Sequence, residues 1–229
     1  MNSIYRSAAS FVASRAGLEP KGLLTAEQLR TPGSGKLGGL IVVGSYVPKT
    51  SLQLTSLLEG SNITPMELSV KQVIDASRLD EEESLAGIVD AAAAKIDAAI
   101  LRGLNVVLYT TREFLPGTTL LDAAAVSDTL TAIVREVRTK PAFLVAKGGI
   151  TSNDVASKSL NITTARVIGQ ILPGVPVWTV CHLNCIRHLT CILHLSVQFF
   201  ISSQTIITVN YIGWGRQPIP RNDVHSFPG

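Results

Sequence analysis

Apolar residues along this chain recur with two alternating rhythms. Short apolar runs, "LGGLIVVGS", "NVVLYTT" and "AFLVAKGG", are rich in β-branched residues and close on glycine or threonine, as buried strands do. Between them lie stretches with helical spacing. "PKTSLQLTSLLEG" carries Leu54, Leu57 and Leu58, with Gly60 as its stop. "DEEESLAGIVDAAAAKIDAAILRG" puts Leu85, Ile88, Val89, Ala92, Ile96 and Ile100 on one stripe. Acids at Asp80 to Glu83 favour its N-terminal dipole, and Gly103 ends it. "LDAAAVSDTLTAIVREVRTK" does the same through Val126, Leu130, Ile133, Val134 and Val137 up to Pro141. "IYRSAASFVASRA" predicts an N-terminal helix, "ITPMELSV" a weaker strand, "SNDVASKSL" a short helix, and "ARVIGQILPGVPVW" a strand, turn and strand.

Strands alternating with helices predict an α/β fold. Its sheet is mostly parallel, with helices on both faces in a Rossmann-like three-layer arrangement. Ligands of such sheets bind at the carboxyl ends of the strands. Two strand ends here carry suitable chemistry. In "LVAKGGITSND" the glycines allow close backbone approach, Thr151 and Ser152 offer hydroxyls and an N-cap, and the free N–H groups of a helix start favour a phosphate. The same letters also describe a tight turn with a capped helix. The Walker spacing is absent. "VVGSYVPKT" places Gly44 and Ser45 at a second strand end, with Thr50 as a possible cap of the next helix. Lys147 could meet a phosphate and Asp154 a magnesium ion, although either is as readily a solvated charge.

Composition changes the picture near residue 180. The chain of 229 residues is 46% hydrophobic and 16% charged, with net charge +3. That suits a globular domain and gives no reason to invoke nucleic acid or a membrane surface. No secretory signal is visible, and a cytoplasmic location is the default expectation. All three cysteines and all four histidines lie beyond Val180, where there is no lysine or glutamate.

"RSAASFV", "GGLIVVGSYVPKTSLQL", "LVAKGGITSNDVA" and "ARVIGQILPGVPVW" together resemble the nucleotide-binding C-terminal domain of the four-carbon acid sugar kinases, from about Tyr5 to Trp178. The resemblance implies transfer of the γ-phosphoryl of ATP, with Mg2+, to a tetronate-type acid sugar. By matching position it puts Ser45 on the nucleotide and Gly148, Gly149, Ile150 and Thr151 in the phosphate loop. Many members carry an acid where this chain has Ile150. No catalytic residue or metal ligand is assigned. The substrate domain, with its Asp-Asp-x-Thr-Gly motif, is not among these residues. Residues 1–35 are read as the end of that preceding domain and a linker, 36–180 as the nucleotide-binding domain, and 181–229 as an aberrant, poorly packed tail. The alternative is a non-catalytic nucleotide- or anion-binding module with a membrane- or partner-binding tail.

Three explanations of the tail compete. Cys181, His182, Cys185, His188, Cys191 and His194 suggest zinc, but their spacing fits no standard finger. Leu189 to Gly215 is long enough to span a membrane, but Gln198, Ser202, Ser203, Gln204 and Asn210 make a poor span. The third is translated intron. Val180–Cys181 can be encoded GTA TGT, a donor, and Ile212–Gly213 ATA GGT, which holds an acceptor AG. "GWGRQPIPRNDVHSFPG", read one base later with permitted codons, gives "VGEGNRFPGMTYIVFPG". Its Arg-Phe-Pro-Gly and Tyr-x-Val-Phe-Pro-Gly elements are those with which the kinases continue. We therefore expect sequencing of the transcript across codons 175 to 229 to find a message shorter by roughly 100 nucleotides. An unbroken message as the sole transcript is the result that removes this reading.

Overall fold

The computed structural model describes residues 9–19, 22–25, 28, 36–45, 47–112, 115–172, 175–181 and 188–194. Their elements are α1 (Ala9–Arg15), β1 (Leu40–Val43), α2 (Pro48–Gly60), β2 (Thr64–Leu68), α3 (Val70–Arg78), α4 (Glu82–Leu101), β3 (Val106–Thr110), α5 (Leu120–Glu136), β4 (Leu144–Lys147), α6 (Gly149–Asp154) with a π turn over Val155–Ser159, β5 (Arg166–Leu172), β6 (Val175–Cys181) and β7 (His188–His194).

The strands form one sheet in the order β2-β3-β1-β4-β7-β6-β5. β2, β3, β1, β4 and β7 are parallel neighbours, and β6 runs against both β7 and β5. The expected α/β architecture with a mostly parallel sheet is therefore the observed one. β7 lies beyond the compositional break at residue 180, and the tail after residue 194 falls outside the described residues.

Alternation along the strands divides the core into two faces. On one, Leu40 and Val42, Val106 and Leu108, and Leu144 and Ala146 pack with Val73 of α3, Val89, Ala93, Ile96 and Ile100 of α4, and Leu130, Ile133 and Val134 of α5. On the other, Val43 and Val107 meet Leu54 of α2, while Phe143 and Val145 meet Ile171, Val175 and Val177 of the β5–β6 hairpin. The predicted stripe of α4 is buried as expected at Val89, Ile96 and Ile100.

Some local expectations fail for identifiable reasons. α3 was not foreseen. It is nine residues long, and its apolar Val70 reads as a continuation of the preceding strand. Ser69 starts it by accepting the Gln72 N–H at 3.3 Å. Thr50 does not cap α2. The helix opens at Pro48, whose missing N–H costs nothing there, and Thr50 is buried within the first turn. α5 ends at Glu136, before Pro141. Asp97 of α4 accepts the N–H groups of Arg138 at 3.2 Å and Thr139 at 2.6 Å and draws the chain away. α4 begins at Glu82 because Asp80, at φ 52°, lies outside helical geometry.

Ile96 is fully enclosed between the sheet and its neighbouring helices. Ile96→Ala should lower the unfolding free energy by about 2–5 kcal/mol, shifting the urea midpoint with little change in slope.

Candidate functional site

The parallel register of β1 and β4 pairs Val43 with Lys147, so the residues that follow each strand emerge side by side at the carboxyl edge. These are Gly44–Ser45 and Gly148–Thr151. Gly148 has φ +107°, a conformation that side chains disfavour. A Cβ on Gly148 would stand 3.4 Å from Ser45 Cβ and 3.6 Å from Thr151 Oγ1. A Cβ on Gly44 would stand 2.6 Å from Thr151 Oγ1, too close for any side chain. The structure thus gathers Ser45, Gly148 and Thr151, with Gly149 opening α6. Ile150 instead points outward and is 77% exposed.

The capping expected of Thr151 and Ser152 is not observed. Gly148 occupies the cap position, without a side-chain bond. Ser152 is turned inward, where its hydroxyl donates to Ala146 O at 2.9 Å and its N–H to Gly148 O at 2.8 Å. Those bonds fix the loop to the strand it leaves. Asp154 is likewise engaged internally. Its carboxylate accepts from Ser127 Oγ at 2.9 Å, Lys158 Nζ at 3.2 Å and Asn153 Nδ2 at 3.3 Å. Burial pushes its pKa upward, but these bonds outweigh that and hold it below the ordinary aspartate value. Asp154 therefore ties α6 to α5. Among the described residues no group of three or more His, Cys, Asp or Glu could hold a metal ion. Of the cysteine–histidine cluster, His182 and Cys185 lie outside the described residues, as do the side chains of Cys181, His188, Cys191 and His194.

Positive charge collects at this edge. Lys147 is half-buried, and burial together with repulsion from Lys49 pushes its ammonium pKa down. Neither lysine forms an ion pair among the described residues. Arg112, just past β3, donates from its guanidinium to the main-chain carbonyls of Ser45 and Val43, the latter at 3.2 Å. It lies 5.9 Å from the centre of the Tyr109 ring, and burial lowers its pKa. Burial raises the pKa of Tyr109, and the nearby negative charge of Glu67 on β2 adds to the effect. Neither Arg112 nor Lys49 was singled out from sequence. The signal was there, because "TTRE" places Arg112 just after β3 and "VPKT" places Lys49 at the start of the helix that follows β1, as "VAKGG" places Lys147 at the end of β4.

The β3–α5 loop at the same edge is held by a buried carboxylate. Asp122 accepts from Arg78 Nε at 3.0 Å, Arg78 Nη2 at 2.7 Å, Thr119 N at 2.7 Å and Thr119 Oγ1 at 2.8 Å, while Arg78 also reaches Gly117 O at 3.2 Å. Thr119 and Asp122 form a capping box for α5.

A family model described as a nucleotide-binding C-terminal domain matches residues 40–194, more than half of the chain. The chain belongs to that family. This nucleotide-binding domain is the one that the resemblance to the four-carbon acid sugar kinases implied, and the match runs past Val180 to include β7. Among solved structures, a domain of unknown function (DUF1537) from Bordetella bronchiseptica, with bound citrate and as a domain-swapped dimer, is similar at 20% identity and a TM-score of 0.55. The likeness covers 71% of this chain and 38% of that one. A putative tRNA synthase from Salmonella typhimurium LT2 is similar at 17% identity and a TM-score of 0.51, covering 71% and 39%. At these identities the likeness concerns the fold, and the domain spans less than two-fifths of either chain. No curated protein matches it. Among the described residues no helix is long and apolar enough to cross a membrane.

The bonds to Asp122, from Arg78 first and then Thr119, hold its carboxyl well below the usual range. The stability it contributes is therefore complete above an ordinary aspartate pKa of about 3.9 and is lost as pH falls through the lower folded value. Asp122→Asn should lower the melting temperature at neutral pH and flatten its decline below about pH 4, as thermal melts from pH 7 to pH 2 would show.

Proposed function

We propose that this nucleotide-binding domain holds the phosphates of ATP at the carboxyl edge, between Gly44–Ser45 and Gly148–Thr151. The observation that carries the proposal is the parallel register of β1 and β4, which brings Gly44–Ser45 against Gly148–Thr151 with Lys147 at the foot of the glycine turn. Burial, and with it the charge of Lys49, pushes the Lys147 pKa down, and neither lysine has an acidic partner among the described residues. A polyphosphate would relieve both conditions. Gly44 lets the Thr151 side chain pack directly against β1, and Gly148 takes a backbone conformation that side chains disfavour, so the two loops lie close together. The hydroxyls of Ser45 and Thr151 supply donors on either side.

Mg2+ fits this site as a companion of the nucleotide. Asp154 is occupied with Ser127 and Lys158, and no carboxylate cluster is described here, so the phosphates themselves would provide most of its ligands. Phosphoryl transfer depends on positioning and charge neutralisation, which these residues would offer to the donor. The acceptor, a tetronate-type acid sugar, would be held by a substrate domain outside these residues. The domain by itself would bind ATP and transfer nothing.

Calorimetric titration of the chain with ATP and Mg2+ tests this directly. Lys147→Met should weaken binding about tenfold, as loss of a charge-assisted bond does. Gly149→Asp, which brings a carboxylate to the phosphate loop, should weaken it at least as much. Unchanged affinity in both variants, with their melting temperatures intact, would exclude this edge as the ATP site.

A further inference from the structure

The carbonyls of three consecutive residues turn the same way at the end of β1. Val43 O and Ser45 O accept from the Arg112 guanidinium, and Gly44 O, between them, accepts from Thr110 Oγ1 at 3.4 Å. Thr110 ends β3 and Arg112 lies just beyond it, so all three carbonyls face the β3 side. β1 lies between β3 and β4 in the sheet. In a trans peptide the C=O and the following N–H point in opposite directions. The N–H groups of Gly44 and Ser45 are therefore turned away from β3, toward β4 and the Gly148–Thr151 loop. Successive N–H groups converging on one side form a concavity that attracts anions. An extended strand end would instead alternate them, one to each neighbouring strand.

We infer that Arg112 is a positioning residue for phosphate binding, which acts by holding the Val43–Ser45 carbonyls so that the Gly44 and Ser45 N–H groups face the anion. The inference rests on the ATP reading above and adds a cause for the shape of the loop. Only a fork of donors does this work, because two carbonyls two residues apart must be held together. The Tyr109 ring lies under the guanidinium, with Glu67 as its register partner on β2, so the support for β1 comes from β3. Thr110 supplies the middle bond from a buried hydroxyl.

The test uses the full chain and three probes: ATP, adenosine and inorganic tripolyphosphate. Arg112→Met and Arg112→Lys should each weaken ATP and tripolyphosphate about tenfold and leave adenosine unchanged, because lysine keeps the charge but cannot grip both carbonyls. Thr110→Val, nearly isosteric, should produce a smaller loss in the same direction. Amide NMR should show the Gly44 and Ser45 N–H resonances shifting on addition of tripolyphosphate in the wild-type chain. Full recovery in Arg112→Lys would mean that charge alone matters and would overturn the inference. Equal losses for adenosine, or a collapse of the melting temperature in Arg112→Met with no Gly44 and Ser45 shifts in the wild type, would overturn it as well. Wild-type binding of ATP with unaffected Arg112 variants would sink the inference and leave the ATP site standing. Failure of the wild type to bind either phosphate probe would remove both.

Discussion

The pairing of β1 with β4 in parallel register is the constraint on which the rest depends. Because Val43 lies opposite Lys147, the chain leaves both strands at the same height, and two glycine-containing turns must share one small volume. The sequence accommodates this with Gly44 against Thr151 and with Gly148 in a conformation that side chains disfavour. Slipping the register by one residue would reverse which side chains of β4 face each helical layer, exposing Leu144 and Ala146 to the wrong side. The two-layered core therefore protects the register, and the register fixes the site. On the proposed reading, stability and function are coupled here through backbone placement.

Around that junction the protein uses its charges in two ways. Asp122 with Arg78, and Asp154 with Lys158 and Ser127, are satisfied inside the domain and fasten loops to helices. Lys147 and Lys49 are left without acidic partners among the described residues, and Arg112 is spent on carbonyl oxygens. The division is spatial. Paired acids secure the helices α3, α5 and α6, while the cations without such partners cluster at the carboxyl edge of β1, β3 and β4.

Much of the fold was legible because its signals are long and redundant. The stripe from Leu85 to Ile100 repeats over several turns, and the apolar runs of β1, β3 and β4 are too hydrophobic for anything but buried strands. What escaped was short or conditional. α3 hides because its nine residues carry one brief apolar cluster directly after a strand. The inward turn of Ser152 depends on Ala146 O being within reach, which no spacing rule reveals. At the site, the glycines and hydroxyls of Ser45 and Gly148–Thr151 were readable as a pattern, whereas their meeting is a product of strand order, 1 beside 4. Arg112 escaped because its role lies in carbonyl contacts with residues far away in sequence, Val43 and Ser45.

The exposed Ile150 shows how little of the loop is devoted to side-chain chemistry. It sits in the middle of the proposed phosphate loop with its side chain largely in solvent. In the proposed site its neighbours would contribute backbone and hydroxyls, and Lys147 and Lys49 the positive charge. Such a site recognises charge and shape, the two properties common to every nucleoside triphosphate. In a kinase built this way, selectivity for the acceptor and its deprotonation must come from another surface brought over the carboxyl edge. On the proposed reading, Tyr109 and Arg112 are the parts of the nucleotide-binding domain that keep its rim from relaxing into an ordinary strand end.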